Sequence, residues 1–286
     1  MIALCLLAVS GCAADAPARR DGDALPAPFG GAAVASPVQA RALHDAEERA
    51  VAACMKRRGF PYRPVPANRP AAENPYGLLT EARAATDGYG LTSAALAGPP
   101  ADPNRQLLDR MDAARRTAWQ QALTGTGRKE RTLTAPGMPS LHVKTDGCVY
   151  LARRDLYGGA WEQTELTVEG LNATVITRVT ADKEFVAAQR TWAACMRGKG
   201  EKATTPQQAR GEIQNAVDRA GRDRSALRRI GLRELKLAGR DATCQRESRL
   251  AEASRAAQER VEAALPERSR RHATTLTSLR ARALEG

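Results

Sequence analysis

Along most of this chain apolar residues recur at three- and four-residue steps, the signature of helices that bury one face. Leu43, Ala46, Ala50 and Cys54 do so between Val38 and Arg58, with Glu47, Glu48 and Arg49 elsewhere on the wheel. Gly59 and Pro61 follow at once, which predicts that this helix stops there. Asn104 or Asp102 caps a second helix running to about Leu123, with Leu107, Leu108, Met111, Ala118 and Trp119 on its apolar side. A third begins near Asp146 and carries Cys148, Leu151 and Ala152 toward Tyr157, before Gly158-Gly159 breaks it. Asp182 opens the clearest helix: Phe185, Ala188, Trp192, Cys195 and Met196 share one face, and Gly198 and Gly200 end it. From Pro206 helical patterns continue almost to the C-terminus, with breaks expected at Gly221 and Pro266. Within them Leu250, Ser254, Ala257, Val261 and Ala264 form a narrow stripe suited to close helix packing.

Three stretches depart from this periodicity. Phe60 to Pro103 is rich in Pro and Gly, with a short helix near Leu78 to Thr86. Its Tyr76-Gly77 and Gly88-Tyr89-Gly90 pairs read as tight turns whose rings cover the core, a reading favoured over a ligand loop. Thr124 to Ser140 reads as a polar loop. Trp161 to Val179 has helical register at Leu171, Val175 and Val179, yet is β-branched enough that helix and strand both stay open.

Two near-identical octapeptides stand out against this background: Ala52-Ala53-Cys54-Met55-Lys56-Arg57-Arg58-Gly59 and Ala193-Ala194-Cys195-Met196-Arg197-Gly198-Lys199-Gly200. Each precedes a cysteine that follows an aspartate, in Asp146-Gly147-Cys148 and Asp241-Ala242-Thr243-Cys244. Four cysteines allow three pairings. The repeated order favours Cys54 with Cys148 and Cys195 with Cys244, each half of the chain (38–160 and 161–286) closing its own loop. No two of the four have a C-x₂₋₄-C spacing, which argues against zinc and against any metal site built on them. The basic residues after Cys54 and Cys195 could activate a thiol; complementing a helix C-terminus is the better-favoured use.

The N-terminus changes the picture of compartment. Ile2 to Val9 is an apolar run too short to span a bilayer, followed by Val9-Ser10-Gly11-Cys12. This stretch resembles a bacterial lipobox. The resemblance implies a signal peptide over 1–11, lipidation of Cys12, and loss of Cys5 with the leader. No Lys or Arg precedes the run, so an earlier start is expected. Ala13 to Pro37 is rich in Ala, Pro, Gly and Asp without apolar periodicity, and reads with Cys12 as a flexible linker over 12–37.

Hydrophobic content of 43% supports a real core, and 4% aromatics means that Ala, Leu and Val build it. The net charge of +12 suits an anionic membrane surface or an acidic polymer; for an exported chain nucleic acid is not an expected partner. Catalytic signals are weak. His44, His142 and His272 are far apart, and His44-Asp45-Ala46-Glu47-Glu48 lacks the second histidine of an H-E-x-x-H site, so a solvated helix face is expected there. No nucleophile elbow, phosphate loop, dinucleotide-binding glycine pattern or C-x-x-C pair is present. The remaining carboxylates, set among arginines at helical spacing, read as surface pairs.

Taken together, the lipobox, the Ala-rich linker, Cys54-Met55-x-x-x-Gly59, Tyr76-Gly77, Gly88-Tyr89-Gly90, Gly147-Cys148, Trp192-x-x-Cys195-Met196 and Asp241-x-x-Cys244 resemble a group of exported actinobacterial lipoproteins. The resemblance implies compartment, helical fold and disulfides, and transfers no catalytic, cofactor or ligand residues. The expectation is an all-α, irregular helical region stapled by two disulfides and tethered to the extracytoplasmic face of the cell membrane. Its expected role is non-enzymatic binding of an anionic envelope polymer or a partner protein. The alternatives are an envelope hydrolase, which would need convergent carboxylates in a cleft, and a purely structural lipoprotein.

Overall fold

Side chains that accept from the first free amides begin most of the long helices. Ser36 and Gln39 form a reciprocal capping box before α1 (Pro37–Arg57). Asp182, Thr205 and Asp223 cap α8 (Lys183–Gly198), α9 (Pro206–Ala220) and α10 (Arg224–Glu247) in the same sense. The computed structural model describes residues 25–31, 35–67 and 73–285. The leader and Cys12 lie outside them. Among the described residues the other α-helices are α2 (Glu81–Thr86), α3 (Leu91–Ala97), α4 (Arg105–Asp109), α5 (Ala113–Thr124), α6 (Cys148–Tyr157), α7 (Trp161–Thr180), α11 (Leu250–Ala263) and α12 (Glu267–Glu285). The described residues are therefore all-α apart from one small hairpin, β1 (Glu130–Leu133) against β2 (Leu141–Lys144), with Leu133 opposite Leu141.

Both expected disulfides are present. Cys54–Cys148 joins the last turn of α1 to the first residue of α6, and Cys195–Cys244 joins α8 to α10. The repeated octapeptides are two copies of one helix ending. The amides of Phe60 and Glu201 donate back to the carbonyls of Met55 and Met196, while those of Gly59 and Gly200 donate to Lys56 and Arg197. This bond pair is the Schellman motif, and it needs a left-handed residue that glycine supplies most readily. Gly59 and Gly200 have φ of +78° and +83°. Met55 and Met196 are fully buried beside their disulfides. The likeness ends there, because Cys148 starts its helix whereas Cys244 lies near the end of α10.

Three apolar clusters organise the packing, and they do not follow a division at residue 160. Tyr76, Leu78, Ala84, Tyr89 and Leu91 lie in one core with residues of α7, α8, α9, α10 and α11. In the other direction, Leu276, Leu279 and Ala283 of α12 return to Leu43 of α1, Tyr157 of α6, and Trp161 and Val168 of α7. Cys54, Met55, Trp119, Ala122 and Cys148 make the third cluster, around the first disulfide. The chain thus exchanges segments between its two sequence halves.

Other departures have local causes. Helix α7 forms despite its β-branched residues because it buries Trp161, Leu166, Val168, Val175 and Val179, while the hydroxyls of Thr164, Thr167, Thr174 and Thr180 are satisfied by donating to the carbonyl four residues earlier. Gly170 in its middle admits the Pro136 carbonyl, which would lie 2.8 Å from a Cβ there. The 124–140 stretch, read as loop, contains β1, which Leu133 anchors by complete burial. The single helix expected to run to Leu123 is broken, and Asp112 restarts it by accepting from Arg115 N. A further break separates α10 from α11 at Arg249, whose φ is +54°. Within the stretch read as a flexible linker, Leu25 and Phe29 pack on the main core, and Phe29 N donates to Glu262 at 2.7 Å.

Candidate ligand cleft

Helix α10 carries buried polar side chains that hold the Gly77–Thr92 segment. Glu234, Asp241 and Gln245 are all buried. The Glu234 carboxylate accepts from the amides of Leu91 and Thr92, both at 2.9 Å, at the start of α3. Gln245 accepts from Leu79 N at 2.9 Å and donates to the Gly77 carbonyl and to Asp241 Oδ1. Asp241 also accepts from Tyr89 Oη and from Trp192 Nε1, each at 2.9 Å. Burial pushes the Asp241 carboxyl up to about 6, against these three donors, which favour its ionised form. Burial, with Asp241 next to it, drives the Tyr89 phenol far above its ordinary range.

The glycines of the segment are the places where this clasp comes close. A Cβ on Gly88, at φ +61°, would lie 2.8 Å from Glu234 Cγ. One on Gly77, at φ +74°, would lie 2.8 Å from Pro206 Cβ at the start of α9. Both Tyr–Gly pairs are turns with buried rings, as expected, and the Tyr76 hydroxyl is bonded to Gln258 on α11.

Held in this way, the segment forms one wall of an open cleft of about 1360 Å³, closed on the other side by the first turns of α9 and the α9–α10 turn. Its apolar lining comes from Leu78, Leu79, Leu91, Ala94, Leu96 and Leu227. Four arginines line it (Arg83, Arg210, Arg222 and Arg224) against two carboxylates, Glu73 and Asp87. Two of the arginines converge. Arg210 Nη1 lies 3.1 Å and Arg83 Nη2 3.4 Å from the same acceptor, the Tyr89 carbonyl. Glu73 pairs with Arg210 Nε at 2.8 Å. Two guanidinium groups thus lie side by side beside an apolar wall, one of them paired with Glu73.

Of the residues singled out in the sequence, Gly77, Tyr89, Gly90, Pro206 and Gly221 line the cleft, while the cysteines and the His44 cluster lie elsewhere. The four cysteines are spent in their bridges. Glu247 Oε2 is 3.1 Å from Cys195 Sγ, and Cys195, Cys244 and Glu247 have potential ligand atoms within 4.8 Å of one another, but bonded sulfurs offer no thiolate to a cation. The His44 helix face is not solvated as expected. His44 Nε2 is 2.7 Å from the Val65 carbonyl, Glu48 accepts from Tyr62 Oη and Val65 N, and Glu47 accepts from Arg153 and Tyr157. These contacts fix α1 to the 60–65 segment and to α6. Glu234 and Asp241 likewise correct the reading of the carboxylates as surface pairs, since both are enclosed. Arg83 and Arg210 were not foreseen. Their only sequence signal is proximity to the Tyr–Gly turns and to the Pro206 helix start.

No protein-family model, curated protein or solved structure matches the chain. Among the described residues no helix is long and apolar enough to cross a membrane.

Proposed function

We propose that the chain is an extracytoplasmic lipoprotein, anchored through Cys12, whose helical region binds an anionic component of the cell envelope without transforming it. The observation that supports binding is the Arg83–Arg210 locus on the Tyr89 carbonyl, set at an apolar cleft. Guanidinium groups at fixed positions recognise phosphate or carboxylate by paired hydrogen bonds. The two disulfides fit an oxidising compartment, and the sequence Val9-Ser10-Gly11-Cys12 motivates the anchor.

Two measurements test this reading. Mass spectrometry of the protein from its native membrane is expected to find a diacylglyceryl-modified Cys12 at the mature N-terminus; an unmodified Cys12 refutes the anchor. Co-sedimentation of residues 13–286 with isolated cell envelopes is expected to weaken several-fold between low and physiological salt. It is also expected to weaken in the Arg83→Gln/Arg210→Gln double variant. Binding that is indifferent to both refutes the charged cleft.

A further inference from the structure

We infer that the occupant of the cleft is a long-chain phosphate ester, its head on Arg83 and Arg210 and its chain along the apolar wall. This rests on the binding role proposed above and names the ligand that the cleft's chemistry selects. Three features carry it.

The first is the head-group locus. Arg83 and Arg210 come from two elements, α2 and α9, and both donate to the Tyr89 carbonyl, so the two guanidinium groups sit side by side at the cleft. A carboxylate is satisfied by one bidentate guanidinium, whereas a phosphate monoester has three terminal oxygens and nearly two charges, enough to bridge two. Glu73 is already engaged by Arg210 Nε. With Asp87 it leaves the arginine-rich lining in net positive balance.

The second is the wall. Leu79, Leu91, Ala94 and Leu227 line the same cleft, whose volume of about 1360 Å³ is far more than a small anion fills. The third is what the lining lacks. Tyr89 is its one aromatic residue, and its ring is buried with its hydroxyl on Asp241. A glycan would therefore find no ring face to stack on, while an alkyl chain needs none.

Isothermal titration of residues 13–286 with monododecyl phosphate, kept below its micelle concentration, tests the inference. Butyl phosphate, laurate and dodecyl maltoside are the comparison ligands. Dodecyl phosphate is expected to bind roughly 100-fold or more tighter than butyl phosphate, because each further buried methylene adds to transfer out of water. It is expected to exceed laurate and dodecyl maltoside by about 10-fold, one added charge-assisted contact at the locus. Arg83→Gln/Arg210→Gln should bring it down to the maltoside value, and Ala94→Trp, at an exposed lining position, should weaken both dodecyl ligands.

Equal affinity for butyl and dodecyl phosphate would overturn the chain-binding wall and leave the anion site standing. Laurate or maltoside binding as tightly as dodecyl phosphate would overturn the phosphate assignment. No heat with any anion would overturn this inference and the binding role together.

Discussion

Tyr89 donates its hydroxyl to Asp241 Oδ2 across 2.9 Å, joining a turn and a helix that lie 152 residues apart in the chain. The bond sits inside the main core, with Trp192 and Gln245 donating to the other oxygen. One buried carboxylate thereby ties α8, α10 and the wall of the cleft together, and the cleft's shape depends on it.

This carboxylate gives the stability a pH signature. The Asp241 carboxyl is held at about 6 in the fold against an ordinary 3.8. Between those values the folded chain keeps a proton that the unfolded chain has released, so the group favours folding most below pH 4 and least above pH 6. Asp241→Asn cannot ionise but retains an amide oxygen for Trp192 and Gln245. Urea unfolding is expected to show wild type losing about 2 kcal/mol relative to the Asn variant between pH 4.5 and pH 7.5. A difference that stays constant with pH would show that Asp241 does not titrate in that window.

Gly88 and Gly211 should respond to alanine with opposite signs. At Gly88 the new methyl meets Glu234 Cγ on a left-handed backbone, a cost of roughly 2–3 kcal/mol. Gly211 is helical with open space around it, so alanine there should stabilise by about 0.5–1 kcal/mol. Thermal unfolding of the two variants checks the pair.

The disulfides should differ in reactivity. Cys54 and Cys148 are buried, whereas Cys195 is half-exposed. Limited reduction under native conditions, followed by alkylation and peptide mapping, is expected to label Cys195 and Cys244 first. Removing either bridge as a Cys→Ser pair should cost about 2–5 kcal/mol. A mapped Cys54–Cys195 peptide in the oxidised protein would contradict the connectivity.

Both octapeptide glycines can be tested alone. A Cβ on Gly59 or Gly200 meets nothing within 4 Å, so only the positive φ resists substitution. Alanine at either should cost about 1 kcal/mol by chemical denaturation.

Much of the scaffold was legible because it rests on local rules. The apolar faces, the cap at Asp182 and the stops at Gly59 and Gly200 all act within a few residues, and the repeated octapeptides put the cysteines in the order of their pairing. What stayed hidden was non-local. Glu234 and Asp241 look like surface carboxylates in an arginine-rich helix, and only the return of residues 77–92 over α10 encloses them. Arg83 and Arg210 are 127 positions apart by number and meet only because the same segment folds across α9. The exchange of α12 for the 73–98 segment is invisible to periodicity, which states that a face is buried but not against what.

Anion binding to this protein is expected at one place, the Arg83–Arg210 pair, and not over a diffuse positive coat. Amide and arginine Nε NMR during a titration with inorganic phosphate tests it most directly. Saturable shifts are expected at Arg83 and Arg210 Nε and at the amides from Tyr89 to Ala95, with the exposed arginines of α12 unmoved. Shifts spread over α12 and the other exposed arginines, with the cleft silent, would contradict it.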